Sequence, residues 1–191
     1  CTLPTDDEAQ VLSGPEIENA MNPTTTSTTR APGVTTTHDV FFFDDENLLV
    51  AVPEETPVGD DITAVLNLLA PSDEPRTLRT ELPDGFLVTD TELSDDGTLT
   101  IIVDDESLFA IGGERSSRAF AQIVVTAVAF QDVERVLFEL NDELREVTMA
   151  DGTSTAEPVD ACDYVSFLQI PCASVGQPVG PTTTTMSVPG S

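Results

Sequence analysis

The chain has 191 residues and carries 35 acidic and seven basic side chains, for a formal net charge of −28. All seven basic residues are arginine, and this charge argues strongly against nucleic acid as a partner, because duplex binding depends on cations that neutralise phosphates. It also excludes a polybasic attraction to anionic lipid, while an apolar content of 39% is enough for the chain to bury a core.

Residues 1–37 have the composition of a spacer that follows a lipid-modified cysteine. They are rich in Thr, Pro, Asp and Glu and include the run Thr24–Thr29, a pattern typical of flexible linkers. Mature bacterial lipoproteins begin with the cysteine that carries the lipid. We therefore expect Cys1 to anchor the protein to the outer face of the cell membrane. The alternative is an arbitrary sequence boundary that falls on a cysteine.

After the spacer, the pattern becomes that of a folded domain. Two short apolar runs, Val40–Phe43 and Leu48–Val52, are separated by polar turn residues and predict a hairpin. A helix is predicted to follow, capped by Asp60 or Asp61 and continuing through Leu69 with apolar residues at helical spacing.

The remaining predicted elements follow in the order strand, strand, helix, strand, strand. They are Phe86–Val88, Leu99–Val103, Glu114–Phe130, Val133–Leu140 and Leu144–Met149. The second helix has a wide apolar stripe, but its centre is β-branched, so packing must hold it. The whole order, ββαββαββ, predicts an α+β domain in which two helices pack on one face of a sheet.

Several of these segments together resemble the GerMN domain, a family named for sporulation and spore-germination proteins. The resemblance covers about 38–150 and is strongest in the last third, in Ala121–Thr126 of the second helix and in Val133–Leu140. The turn Leu82-Pro83-Asp84-Gly85 and the helix end Leu68-Leu69-Ala70-Pro71 also follow the family pattern.

The resemblance implies a function in binding rather than in catalysis. GerMN domains look like ring-building modules of sporulation channels, and in actinobacteria they occur in lipoproteins outside the membrane, one of which accompanies a sensor kinase. None is an established enzyme family. We therefore expect a non-enzymatic module that binds a protein partner at the cell envelope, in sporulation, germination or envelope signalling.

Two further segments follow the domain. Residues 151–175 form a predicted extension, and residues 176–191 are rich in Thr and Pro and are predicted to be a disordered tail. Cys162 and Cys172 flank a short apolar loop in the extension, which suits a disulfide in an oxidising compartment. Two free thiols are the alternative.

Residues with catalytic chemistry are scarce. The one histidine, His38, lies at the border between the spacer and the first strand, where we expect a solvated boundary residue. With one histidine, and with two of the three cysteines expected in a disulfide, a zinc site is implausible. We expect no catalytic residue, no cofactor and no small-molecule substrate.

Carboxylate clusters are the other candidates for chemistry. They fall in predicted turns, and Asp44, Asp45, Asp104 and Asp105 are weak candidates for calcium ligands. Such acidic loops allow two alternative functions: a calcium- or glycan-binding surface protein, and, less favoured, a carboxylate hydrolase. Solvated acidic turns are the simpler interpretation in a chain with this charge.

Four arginines fall in two close pairs. Arg76 and Arg79 follow the first predicted helix, and Arg115 and Arg118 open the second. Because arginine grips carboxylates with two parallel hydrogen bonds, these pairs are candidates for an interface with an acidic partner surface. Pairing with the chain's own acidic residues is the alternative.

Overall fold

The first two strands form a long antiparallel hairpin. The structure, a computed structural model, describes residues 35–57, 62–72 and 77–176. Strand β1 (Thr35–Phe43) pairs with β2 (Leu49–Pro57), with Thr35 opposite Pro57 and Phe43 opposite Leu49. The predicted hairpin is confirmed. Both strands extend beyond the apolar runs, because the pairing continues through polar, partly β-branched residues that face solvent.

Three helices follow: α1 (Ile62–Asn67), α2 (Ser107–Ala110) and α3 (Glu114–Val128). Helix α3 was predicted, and α1 lies within the first predicted helix, whose proposed caps Asp60 and Asp61 lie outside the described residues. The four-residue α2 was not predicted, because one helical turn leaves no periodicity to detect. In the described segments, no helix has both the length and the apolar character needed to cross a bilayer.

A four-stranded mixed sheet lies beside these helices. Its strands are β3 (Val88–Leu93), β4 (Thr98–Val103), β5 (Arg135–Leu140) and β6 (Glu143–Leu144), in the spatial order β3-β4-β5-β6. Strands β4 and β5 are parallel and the other neighbours are antiparallel. A parallel pair needs a crossover, and helices α2 and α3 supply it. Strand β3 is therefore left at one edge of the sheet.

Strand β3 begins where the predicted strand 86–88 ends. Phe86 is buried in the turn before it, Leu87 is largely exposed, and pairing starts at Val88, opposite Val103. The predicted position was wrong because most residues from 89 to 93 are exposed, so the strand lacks the apolar alternation that marks a half-buried strand. The predicted turn at 94–97 is confirmed, with Gly97 at a φ of 77°.

The predicted last strand, 144–149, is divided between two sheets. Its first residue belongs to β6, whereas β7 (Val147–Thr148) pairs with β8 (Ser154–Thr155). The turn that opens it has Asn141 and Asp142 at positive φ values of 56° and 60°, the sign that a two-residue hairpin turn needs at both positions. Only two residue pairs follow this turn before the chain turns so that Val147 enters the core.

The segment after residue 150 contributes to the core. A 3₁₀ helix over Ala161–Phe167 buries Ala161, Tyr164 and Phe167, and its start is a capping box in which Asp160 and Asp163 bind each other's backbone. The expected disulfide between Cys162 and Cys172 is confirmed, with the two Cα atoms 5.0 Å apart. The segment expected to extend beyond the domain thus supplies part of its core.

Helix α3 is the centre of the molecule. Residues from Ala119 to Val128 are all buried, because β1, β5, β7 and the 3₁₀ helix surround α3 on several sides. Two of its buried polar side chains hold neighbouring backbone: Thr126 accepts a hydrogen bond from the Phe41 amide, 3.1 Å, and Gln122 accepts one from the Glu81 amide, 3.1 Å. The predicted α+β class is confirmed, with the strands divided among three sheets.

Candidate functional site

Three of the four arginines named from the sequence as interface candidates meet at one carboxylate. Glu81 is 9% exposed, and its carboxylate lies 3.2 Å from Arg79 Nε, 3.7 Å from Arg115 Nε and 3.2 Å from Arg118 Nε. The Arg79 contact is a hydrogen bond, whereas Arg118 Nε is at ion-pair distance without hydrogen-bond alignment. We call these four residues the Glu81 cluster.

Local structure explains why these side chains converge. The side-chain carbonyl of Gln122 on α3 accepts hydrogen bonds from the Thr80 hydroxyl and from the Glu81 amide, so Glu81 lies against that helix. Arg115 and Arg118 lie on those turns, and Arg115 also donates to the backbone carbonyls of Glu81 and Leu82, both at 3.2 Å. The cluster therefore fastens the loop before β3 to the start of α3.

Each arginine of the cluster is already paired within the chain. Arg118 also pairs with Glu114 at 3.1 Å, and Arg79 donates to the side chain of Asn47. Elsewhere in the described segments, Arg135 pairs with Asp96 and Arg145 with Glu106. All five described arginines thus lie within 4.0 Å of a carboxylate oxygen, so a partner's carboxylate would have to compete with an internal one. Arg76 and Cys1 lie outside the described residues.

Two of the four candidate calcium ligands, Asp44 and Asp105, accept hydrogen bonds within their own turns. Asp44 accepts hydrogen bonds from the amides of Glu46 and Leu48, both 2.9 Å, and from the side chain of Gln169 at 3.0 Å. Asp105 accepts from the Ser107 amide at the start of α2. In the segments that the structure describes, no three His, Cys, Asp or Glu side chains lie together so as to hold a metal ion.

A third acidic turn has the same construction. Hydrogen bonds from the Ser94 hydroxyl and from Thr98, together with the nearby Arg135 guanidinium, hold the pKa of Asp96 below its ordinary value. The Asp96 side chain is exposed, and its partners are those of a hairpin turn. The lowered pKa is therefore explained by turn formation and does not indicate acid–base chemistry.

A surface groove of about 550 Å³ lies where the end of α3 meets β1 and the edge of the four-stranded sheet. We call it the His38 groove. Its apolar lining residues are Ile62, Leu93, Leu99, Ala129, Phe130 and Val133. His38 itself is only half-buried and stacks on the ring of Phe130, with the ring centroids 4.8 Å apart. His38 therefore lines a groove, whereas the sequence predicted only a solvated boundary residue.

Helix α1 covers the edge strand β3 at its Val88 end, and among the described residues no strand pairs with its Leu93 end. Asn67 of α1 donates to the Val88 carbonyl at 2.9 Å and accepts from the Val88 amide at 2.8 Å, in the manner of a neighbouring strand. Further along β3, Thr63 of α1 bonds the Thr91 hydroxyl at 2.9 Å. Beyond that point Leu93 is 44% exposed and borders the His38 groove.

The sequence predicts only some of the residues that form the Glu81 cluster and the His38 groove. Glu81 carries no local signal, since it stands between Thr80 and Leu82 in a predicted loop. The stacking of His38 on Phe130 joins residues that are far apart in the sequence. The arginine pairs were detectable from their spacing, but the carboxylate between them was not.

Comparison with known proteins places the fold. The family model for Germane, described as sporulation and spore germination, matches residues 39–146. No curated protein matches the chain. Among solved structures, the tandem GerMN domains of the sporulation protein GerM from Bacillus subtilis are 18% identical with a TM-score of 0.57, over 68% of this chain and 48% of that one. This chain thus spans about half the length of the tandem protein.

Two further structures are less similar. The first GerMN domain of the same protein is 17% identical with a TM-score of 0.47, covering 58% of this chain and 86% of that one. A candidate lipoprotein from Clostridium perfringens is 12% identical with a TM-score of 0.43, covering 70% of this chain and 91% of that one. The family match extends over more than half of the 191 residues. The chain therefore belongs to the Germane family of sporulation and spore-germination domains.

Proposed function

We propose that this chain is a non-enzymatic binding module of the cell envelope, tethered through lipid on Cys1 and recognising a protein partner. Family membership carries the proposal, because the family is described by a process, sporulation and spore germination, and not by a reaction. Because the family description names no reaction, binding is the role we propose for the domain, and its site must be argued from the residues themselves.

Two features of the chain support a position outside the cytoplasm. The Cys162–Cys172 disulfide is of a kind that persists in oxidising compartments and is rare where thiols are kept reduced. The sequence between Cys1 and Thr35 has the Thr- and Pro-rich composition of a spacer, which would hold the domain away from a membrane.

Cell fractionation tests the tether. The wild-type protein is expected in the membrane fraction, released by detergent, whereas Cys1→Ala is expected in the soluble extracytoplasmic fraction. Cys162→Ser is the matched control, since it removes a different cysteine and should leave partition unchanged. Wild-type protein that is already soluble without detergent would disprove the tether.

Affinity capture tests the binding role. Full-length protein with an affinity tag is cross-linked in sporulating or vegetative cells, and the adducts are compared with those of a tagged, unrelated acidic lipoprotein. A discrete adduct that is specific to this chain supports the proposal. Adducts identical to those of the control would contradict it.

A further inference from the structure

We propose that the His38 groove binds an extended segment of a partner protein that carries one bulky apolar side chain flanked by lysine or arginine. The inference rests on the proposed binding function and names the surface and the chemistry of its partner. The groove, rather than the Glu81 cluster, is the better candidate, because the arginines of that cluster are already paired within the chain.

The preference for a bulky apolar side chain follows from the residues that line the groove. Leu99 and Val133 are buried, whereas Leu93 remains 44% exposed and faces the same groove as Phe130. A volume of about 550 Å³ is enough to receive an aromatic or branched aliphatic side chain. Covering Leu93 would remove from water one of the few large apolar side chains that the described domain leaves exposed.

The extended conformation follows from the position of β3. This strand is at the edge of its sheet, with β4 on one side only, and helix α1 covers its Val88 end through Asn67. The Leu93 end borders the groove. A segment that lies in the groove can therefore run beside this end of β3, as in β-strand addition, where backbone bonds give affinity and a side-chain pocket gives specificity.

The basic flanks follow from charge. Asp132 lines the groove, and Glu54 lies directly across the β1–β2 hairpin from His38, on the same face. No arginine is among the described residues that line it. With a net charge of −28 on the whole chain, a second copy is repelled, whereas a segment with lysine or arginine is attracted.

Titration with designed peptides tests the inference. Three fluorescein-labelled peptides of equal length are titrated with the full chain by fluorescence polarisation. One has a central Phe between lysines, one has the same Phe between glutamates, and one has Ser in place of Phe between lysines. The first is expected to bind, and the other two at least about tenfold more weakly, with the affinity of the first falling as salt rises.

Matched variants assign the binding to the groove. Leu93→Asp is expected to lower the affinity for the first peptide about tenfold. Asp132→Lys is expected to reverse the preference, so that the peptide with glutamate flanks binds more tightly than the peptide with lysine flanks. Leu144→Asp is the control, since Leu144 is 54% exposed on β6, outside the groove. All three side chains are exposed, so the variants should keep the wild-type melting temperature.

Other outcomes would overturn the proposal. Equal binding of the three peptides, or equal effects of Leu93→Asp and Leu144→Asp, would exclude the groove as a specific site. A chain ending at Gly176 that binds the first peptide about tenfold more tightly would identify the C-terminal segment as the occupant. Self-association that Leu93→Asp abolishes would identify a second copy as the occupant.

These results are separable from those on the proposed function. If the peptides fail to bind while Cys1 still determines membrane partition and capture succeeds, the envelope module stands and uses another surface. If the fractionation and capture experiments contradict the proposed function while the first peptide still binds selectively, the groove is a binding site but the proposed membrane location is wrong.

Discussion

Asn67 forms both hydrogen bonds with the backbone of Val88, donating to its carbonyl at 2.9 Å and accepting from its amide at 2.8 Å. One side chain of α1 thereby takes the place of a neighbouring strand at the edge of the sheet. Exposed edge strands invite pairing with other chains, and natural proteins cover them. Here an amide side chain covers the edge where β3 begins.

Replacing this amide should destabilise the domain and expose the edge. Asn67→Ala leaves the amide and carbonyl of Val88 without their partner, and we expect the free energy of unfolding to fall by about 1–3 kcal/mol. Asn67→Asp keeps the acceptor for the Val88 amide but sets a carboxylate oxygen against the Val88 carbonyl, so it should cost at least as much as the alanine variant. Urea denaturation measures both values. Equal stability of wild type and Asn67→Ala would show that water replaces the amide.

The Glu81 cluster should respond to loss of its carboxylate. Glu81→Gln leaves Arg79, Arg115 and Arg118 around a neutral group, and the low exposure of Glu81 predicts a loss of about 2–4 kcal/mol in the free energy of unfolding. Glu114→Gln is the matched control, because Glu114 also pairs with Arg118 but is 78% exposed, so its loss should cost less than about 0.5 kcal/mol. Similar losses in both variants would contradict a central role for Glu81.

Stability should fall at alkaline pH through Tyr164. Burial, and secondarily the charge of Asp163, raise the pKa of the Tyr164 phenol well above its ordinary value of about 10. The folded state thus keeps the phenol neutral, while the unfolded chain ionises above about pH 10, so rising pH favours unfolding from that point. Below it, this group leaves stability unchanged.

This residue can be followed without a label. The chain has one tyrosine and no tryptophan, so phenolate absorbance in the near ultraviolet reports Tyr164 alone. We expect the phenolate to appear together with the loss of circular dichroism. Tyr164→Phe should abolish the alkaline destabilisation, at the cost of the hydrogen bond to the Thr148 carbonyl, 3.3 Å long. A phenolate that forms near pH 10 in still-folded protein would contradict the raised pKa.

Reduction of the disulfide should weaken the domain as a whole. Cys162 and Cys172 are separated by ten positions, and closing so short a loop contributes about 2–3 kcal/mol in the chain-entropy description. Because Tyr164 and Phe167 lie inside that loop and are buried, the loss should appear in global unfolding. Thermal melts with and without reductant, with Cys162→Ser as a permanently open reference, measure it. A wild-type melting temperature that reductant leaves unchanged would contradict this expectation.

Salt should stabilise the protein. The five described arginines are all paired with carboxylates, and most of the chain's 35 acidic residues have no cation to compensate them. We expect the melting temperature to rise between about 10 mM and about 0.5 M NaCl, as mutual repulsion is screened. The increase should be the same with a chelator present. A flat profile that becomes salt-dependent only after chelation would indicate neutralisation by a bound cation.

The elements that could be predicted from the sequence are those with strong local patterns. The apolar run around Phe42 and the periodicity of α3 are sufficient for β1 and for the helix. Strand β3 was misplaced because its outer residues face water and its start depends on Asn67, which lies in a different element. The division of the last strand depends on Val147 entering the core, a long-range effect without a local signal.

The candidate sites, like the secondary structure, could be predicted from the sequence only in part. The spacing of Arg115 and Arg118 on one helix is visible in the sequence, but their common partner Glu81 comes from a separate loop that Gln122 holds in place. The His38 groove depends on packing between β1 and the end of α3. No local sequence pattern marks the residues of this groove, because they come together only when the domain is folded.

The first strand and the last described residues both pack at one end of α3. The first strand, which begins at Thr35, brings His38 onto Phe130, and the last described residue, Gly176, packs so closely that an added Cβ would lie 2.6 Å from the Val128 carbonyl oxygen. Only glycine fits at this position. A side chain at Gly176 would therefore disturb the same end of α3 that holds β1 through the Phe41–Thr126 hydrogen bond, and Gly176→Ala should lower the melting temperature.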